Sequence, residues 1–398
     1  MRKNLLLGLR ILVAAAGVGY ILWSLTWTDR VQVPVDTKLA GGRVLTEAES
    51  FRVVSGDAGG FARGQPVSIT IDPNARPMPV PTEGRGAGEH QYQFVPGVVT
   101  TFSGANVALL LVGLLLVGPV YLIQGWRWLL LLRARGLDVG YGKSFRLLMV
   151  GSFFNYCMPV GTTGGDVVKA YYAAKGSDRR ADAVMSIVFD RIAGMIGLIL
   201  VGGVAALTMW RLEVARQMAA IIWLLAACIG GGAIIYFSGP LRRWFGIDWL
   251  VNHLPGRGIR QLMVSVDEAA MAYRDHKGTV ASAVLLSVAV HMCLITAAIL
   301  GGYALGISHE FGLMASVMPV LSLGMAIPIS YQGLGIMEGI GMPLLATAPY
   351  CTANQLIGML MIYRLYMVVY SMLGSLYLLR GDIHMHPQEQ IADHPLAV

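Results

Sequence analysis

Residues 155–166 read NYCMPVGTTGGD and run directly into VVKAYYAAK. Long apolar runs flank this stretch, so Asn155, Pro159, Gly161, Gly164, Gly165 and Asp166 fall where a membrane helix would otherwise continue. Backbone amides and carbonyls left unpaired in hydrocarbon cost several kcal/mol each, so an irregular stretch there must be buried in protein or line a cavity. Pro and Gly at this spacing break the helix, and the chain then restarts as a half-helix with Asp166 in its first turn. The start of such a half-helix presents backbone N–H groups and the positive end of a helix dipole, which suits an anion.

The composition places this break in a membrane. Of 398 residues, 55% are hydrophobic and only 13% are charged. A hydrocarbon core about 30 Å thick takes about 20 apolar residues per helical span. Six runs meet that length, at roughly 8–27, 106–126, 183–210, 218–237, 279–304 and 353–379. Two further apolar stretches, about 145–174 and 311–349, are interrupted near their centres and read as re-entrant hairpins. The expected fold class is an all-α polytopic membrane protein: six spanning helices and two broken hairpins in an inverted repeat, with a small β-rich insert outside the membrane.

A net charge of +7 on a soluble chain would raise the question of nucleic acid, but here the Lys and Arg residues cluster in short loops at helix ends and set orientation instead. Arg2, Lys3 and Arg10 attend the first run. Arg127, Arg133, Arg135, Lys143 and Arg146 follow the second, and Lys175, Arg179 and Arg180 precede the third. Both termini are expected to be cytoplasmic, in a bacterial inner membrane. Residues 1–27 read as an uncleaved anchor, 28–104 as the extracytoplasmic β-rich insert with alternating runs such as RVQVPVD and PVSITID, 105–380 as the transmembrane domain and 381–398 as a cytoplasmic tail. In the loop between the fourth and fifth runs, Ile259, Leu262, Met263, Val266, Ala270 and Tyr273 recur at helical spacing. That helix lies either on the bilayer surface or on the domain's own cytoplasmic face.

Residues 327–340, IPISYQGLGIMEGI, repeat the chemistry of the opening stretch: Pro328, then Gly333 and Gly335, then Glu338, then an apolar run. Arg191 follows Asp166 by 25 positions and Arg364 follows Glu338 by 26, each inside an apolar span. The loop charges make the first hairpin enter from the cytoplasm and the second from outside, so the units are inverted. Secondary transporters are built this way, with the substrate site at mid-membrane between the repeats. An arginine at that depth is functional unless it is paired internally. The candidate binding residues are Asn155, Gly164, Gly165, Asp166, Lys169, Asp190, Arg191, Gly333, Gly335, Glu338 and Arg364. The opposing reading is that Asp166 and Glu338 only complement half-helix dipoles and neutralise the two arginines.

At these residues the chain resembles the flippase-like membrane domain of bacterial lysylphosphatidylglycerol synthases and their stand-alone relatives. The family pattern of an Asn, Pro and Gly, Gly-acid-x-x-basic-Ala-Tyr and an acid-Arg pair appears as Asn155, Pro159, Gly165, Asp166, Lys169, Ala170, Tyr171 and Asp190-Arg191. A second pattern, Pro-x-Ser-Pro-Gly-Gly-Leu-Gly-x-x-Glu, appears as Pro328, Ser330, Tyr331, Gln332, Gly333, Leu334, Gly335 and Glu338, with Tyr331 and Gln332 in place of the usual Pro and Gly. The resemblance covers about 105–380 and implies handling of an anionic phospholipid or a polyprenyl lipid. Only 18 residues follow Arg380, too few for the synthases' soluble aminoacyl-transferase domain.

The leading expectation is a lipid transporter or flippase without enzymatic activity, cofactor, metal or nucleic-acid partner. A second copy or a lipid-modifying enzyme is the expected protein partner. A membrane-embedded transferase on lipid-linked substrates and a small-anion transporter stand as alternatives.

Overall fold

The computed structural model describes residues 16, 18–34, 37, 44–57, 61, 65–71, 77–80, 92–157, 164–175, 179–253, 257–326, 330–346 and 350–380. The expected anchor falls largely outside these residues; residues 18–24 are helical. The 381–398 tail, Pro159, Gly161 and Pro328 also lie outside them.

Five strands follow: β1 (Arg30–Val33), β2 (Glu49–Ser55), β3 (Val67–Thr70), β4 (Met78–Val80) and β5 (Gln93–Val95). They form one antiparallel sheet in the order β4-β3-β2-β1-β5. Strand side chains alternate between faces, and Val31, Val33, Phe51, Val67, Ile69 and Val80 all fall on the buried one, where Leu45 joins them. The short α1 (Val98–Ser103) leads from β5 toward the membrane helices.

Those helices are α2 (Val107–Ala134), α3 (Tyr141–Cys157), α4 (Gly164–Ala174), α5 (Arg180–Thr208), α6 (Glu213–Phe237), α7 (Gly239–Trp244), α8 (Ile247–Asn252), α9 (Arg257–Met271), α10 (Lys277–Ala304), α11 (Phe311–Ala326), α12 (Ile336–Leu345) and α13 (Ala353–Leu379). Among the described residues α2, α5, α6, α10 and α13 are long and apolar enough to cross a membrane. The second span runs eight residues beyond its expected end at 126, because Leu129, Leu131 and Leu132 keep the helix apolar and packed. This is an all-α polytopic membrane protein carrying a small antiparallel sheet.

The chain folds as two compact units. One comprises Met1–Gly113, Ala297–Val317 and Leu321–Tyr363, the other Leu114–Thr296, Met318–Val320 and Arg364–Val398. In the first, the sheet is held to the N-terminus of α13 by Asn354. Its amide donates to the carbonyls of Thr26 and Pro96, both at 2.8 Å, and its carbonyl oxygen accepts from the Thr26 N–H at 2.9 Å. The α11–α12 pair closes through Gly324, which lets Ile336 approach so nearly that an added Cβ would lie 3.0 Å from its Cγ2.

In the second unit α3 and α4 pack against each other through facing glycines. A Cβ on Gly165 would strike the Gly151 backbone, and one on Gly151 would lie 3.0 Å from the Gly165 carbonyl and 2.9 Å from Lys169 Cγ. Small residues that let backbones touch are the usual means of joining helices where no hydrophobic drive exists between them. Gly165→Ala is therefore expected to lower stability by about 1–3 kcal/mol through overpacking, read as a drop in the unfolding midpoint of the purified protein. Gly230→Ala in α6, where an added Cβ meets nothing, should leave the midpoint unchanged.

The two readings of the helix between the fourth and fifth runs are separated by α9. Ala269 and Ala270 at its end, with Tyr273 just beyond, are buried against Leu131, Met185, Phe189 and Ala193. Tyr273 stacks on Phe189 with ring centroids 4.0 Å apart and donates its hydroxyl to the Leu131 carbonyl at 2.9 Å. The end of this helix thus packs on the domain's own face.

Candidate functional site

The first break assembles five of the candidate residues. Asn155, near the end of α3, accepts the Gly165 N–H through its side-chain oxygen at 2.8 Å. One turn of α4 brings Lys169 Nζ to 3.0 Å from the Asp166 carboxylate. Arg191, on α5, reaches the other carboxylate oxygen through Nε at 2.6 Å and also through its terminal nitrogen. The 25-residue spacing between Asp166 and Arg191 therefore corresponds to a direct ion pair.

Lys169 does not reach toward solvent. It is buried, with its ammonium 5.2 Å from the Trp128 ring centroid, and the Trp128 indole donates to Ser186 Oγ at 3.1 Å. Arg191 is the accessible member, its side chain 41% exposed. Two cations against one carboxylate leave the trio with a formal charge of +1, and Asp166 and Lys169 stand in the first turns of α4, whose dipole has the same sign there. An anion is the ligand such a cluster attracts. Because Asn155 occupies the Gly165 N–H, the expectation of free amides at the half-helix start is corrected at that position.

Asp190 is turned away from this trio although it adjoins Arg191 in sequence. Its carboxylate accepts from Arg127 Nε at 2.7 Å, and Arg127 donates a second bond to Ser287 Oγ, also at 2.7 Å. Both charged side chains are buried. Successive residues on a helix point about 100° apart, so neighbouring Asp190 and Arg191 serve different partners. Grouping Arg127 with loop cations misplaced it: it lies inside α2. A signal for this network was present in α10, where Ser287 and His291, spaced i and i+4, form a polar stripe in an apolar span. His291 completes it through a 2.9 Å hydrogen bond to the Gly194 carbonyl.

At the second break Ser330, Gln332 and Glu338 are buried. The Gly335 N–H donates to Glu338 Oε2 at 2.9 Å, so the first amide of this half-helix is also occupied by the protein's own side chain. Gly333 and Gly335 take φ of 67° and 83°. Gln332 keeps φ of 50° at the position where the family pattern has Gly, so the backbone turn survives the change of residue at a strain of about 1–2 kcal/mol. Arg364 is buried in α13. It lies eleven residues beyond the first residue of α13, as Arg191 does beyond that of α5, which sets both about 16 Å along their helices.

A family model described as the lysylphosphatidylglycerol synthase TM region matches residues 95–374. The chain belongs to this family. Membership carries a membrane-lipid-related role, and the match begins at the last strand of the sheet, taking in α1 through nearly all of α13. No curated protein matches the chain.

Proposed function

We propose that the chain moves an anionic lipid across the membrane, with Arg191 holding the head-group phosphate. The observation that supports this most is the excess positive charge of the Asp166, Lys169 and Arg191 cluster, with Arg191 as its accessible arm. A guanidinium offers a planar fork of donors that matches phosphate geometry, while Asp166 holds it oriented at small entropic loss. Lys169 and Trp128 back the carboxylate from behind, so the cluster keeps its shape as ligand enters and leaves. On this proposal the first helix break is re-entrant, and the Asp166 cluster beside it is the head-group site.

The test is reconstitution in vesicles of phosphatidylethanolamine and phosphatidylglycerol carrying a fluorescent phosphatidylglycerol. The expected result is that the protein exposes inner-leaflet probe to a membrane-impermeant quencher well above the level of protein-free vesicles. Uptake of free phosphate without movement of any anionic lipid would support the small-anion reading and overturn this one.

A further inference from the structure

Directly after the span α6, the short helices α7 and α8 form a two-sided element. Its inner side is polar and tightly joined. Arg242 is buried and bonds Asp248 on α8 and, at 2.5 Å, Asp267 on α9. Tyr236, at the end of α6, places its ring centroid 4.9 Å from the Arg242 guanidinium and donates its hydroxyl to Asp267 at 2.5 Å. The bond to Asp267 raises the Arg242 pKa above its usual value, so the guanidinium stays charged at every physiological pH. This knot fixes the orientation of α7 and α8 against the membrane helices.

The outer side is apolar. Trp244 is 78% and Trp249 65% exposed, and Phe245 and Leu250 are exposed beside them, with Arg243 exposed at the edge. Trp244 and Phe245 pack edge to face with centroids 4.7 Å apart, and Trp249 stacks on His253 at 5.2 Å. Exposed apolar residues scattered singly need no explanation, but four within seven residues, three of them aromatic, form a patch.

Only Ser238 separates the last residue of α6 from the first of α7. The patch therefore follows directly on a helix long and apolar enough to span, and tryptophan rings and basic side chains concentrate at the membrane interface beside such helix ends. We infer that α7 and α8 lie in the bilayer interface with Trp244, Phe245, Trp249 and Leu250 inserted among the lipid chains and Arg243 among anionic head groups. The occupant of this face is the protein's own membrane. The element is distinct from α9, whose end is packed on protein, and it works as an outrigger: the Arg242 knot transmits its depth to the end of α6 and to α9.

The test uses the full chain with its native cysteines replaced by serine and a fluorescent NBD label at Trp249→Cys or, as control, at Glu268→Cys, an exposed position on α9. The labelled proteins are placed in phosphatidylethanolamine and phosphatidylglycerol vesicles with or without a lipid carrying a nitroxide high on its acyl chain. The expected result is loss of most of the emission at position 249 to the chain-borne quencher, with little loss at 268, and the reverse order of quenching by aqueous iodide. Equal iodide quenching at both positions, with no response to the nitroxide lipid, would overturn the inference. So would protection at 249 that disappears when vesicles hold a single copy, because a second protein molecule would then be the cover. Should Trp249→Cys lower the yield of folded protein, Phe245→Cys carries the same expected and overturning results.

Discussion

Arg127→Met is expected to destabilise the protein by about 3–5 kcal/mol, the usual penalty for removing one partner of a buried ion pair. Asp190 would be left in a lipid-embedded core with its 2.7 Å donor gone, and Ser287 would lose the donor it accepts from. Methionine fills most of the space of the arginine stem, so little of this loss comes from a cavity. The measurement is the unfolding midpoint of purified protein in detergent. The companion variant is Arg127→Met with Asp190→Leu. Exchanging a whole buried pair for apolar side chains of similar volume is often neutral or stabilising, so the double variant should recover most of the single variant's loss. If the double variant is as unstable as the single one, the Arg127–Asp190 pair does not hold α2 to α5. Transport by a stable double variant would further separate this structural pair from the Asp166 cluster, to which Asp190 is adjacent only in sequence.

The membrane architecture was legible because hydropathy depends on little beyond side-chain type, and in lipid the backbone has to satisfy itself within each helix. The five described spans fall within a few residues of their expected runs at most ends; the exception is the far end of α2, where apolar residues continue past Trp126. Asp166 and Arg191 were legible as a pair because both are conspicuous in apolar surroundings and the spacing recurs between Glu338 and Arg364. Asp190 and Arg127 were not. Which of two adjacent charged residues faces which neighbour depends on helix rotation and on a partner 63 positions away, information that linear spacing lacks. The occupancy of the Gly165 and Gly335 amides is hidden for a related reason: in the sequence Asn155 and Glu338 read as ligand residues, and their local bonds to backbone depend on how each break folds. The aromatic outrigger has no hydrophobic run to announce it in the sequence. Its apolar residues alternate with Arg242, Arg243 and Asp248, and only folding turns Arg242 and Asp248 to the inner side while Arg243 stays at the edge of the apolar one.

Arg191→Gln is expected to remove most lipid movement while leaving the unfolding midpoint close to wild type. The structural reason is asymmetric pairing. Asp166 loses Arg191 but keeps Lys169 at 3.0 Å, so the carboxylate is not stranded, and Arg191 itself is 41% exposed. A pair with one partner so accessible contributes on the order of 1 kcal/mol or less to stability. Transport stands on the other side of the ledger. Losing charge-assisted bonds to a phosphate, worth about 1.5–3 kcal/mol, weakens head-group binding roughly tenfold to a hundredfold. The competing reading, in which Arg191 only neutralises Asp166, gives a different outcome for the double variant Asp166→Asn with Arg191→Gln. Removing both charges leaves Lys169 as the cluster's single cation, so under the neutralising reading transport returns with the charge balance. Under the phosphate reading it stays lost although the protein remains folded. Transport restored to wild-type rate in that double variant, measured with the fluorescent lipid in the same vesicles, would exclude Arg191 as the phosphate ligand.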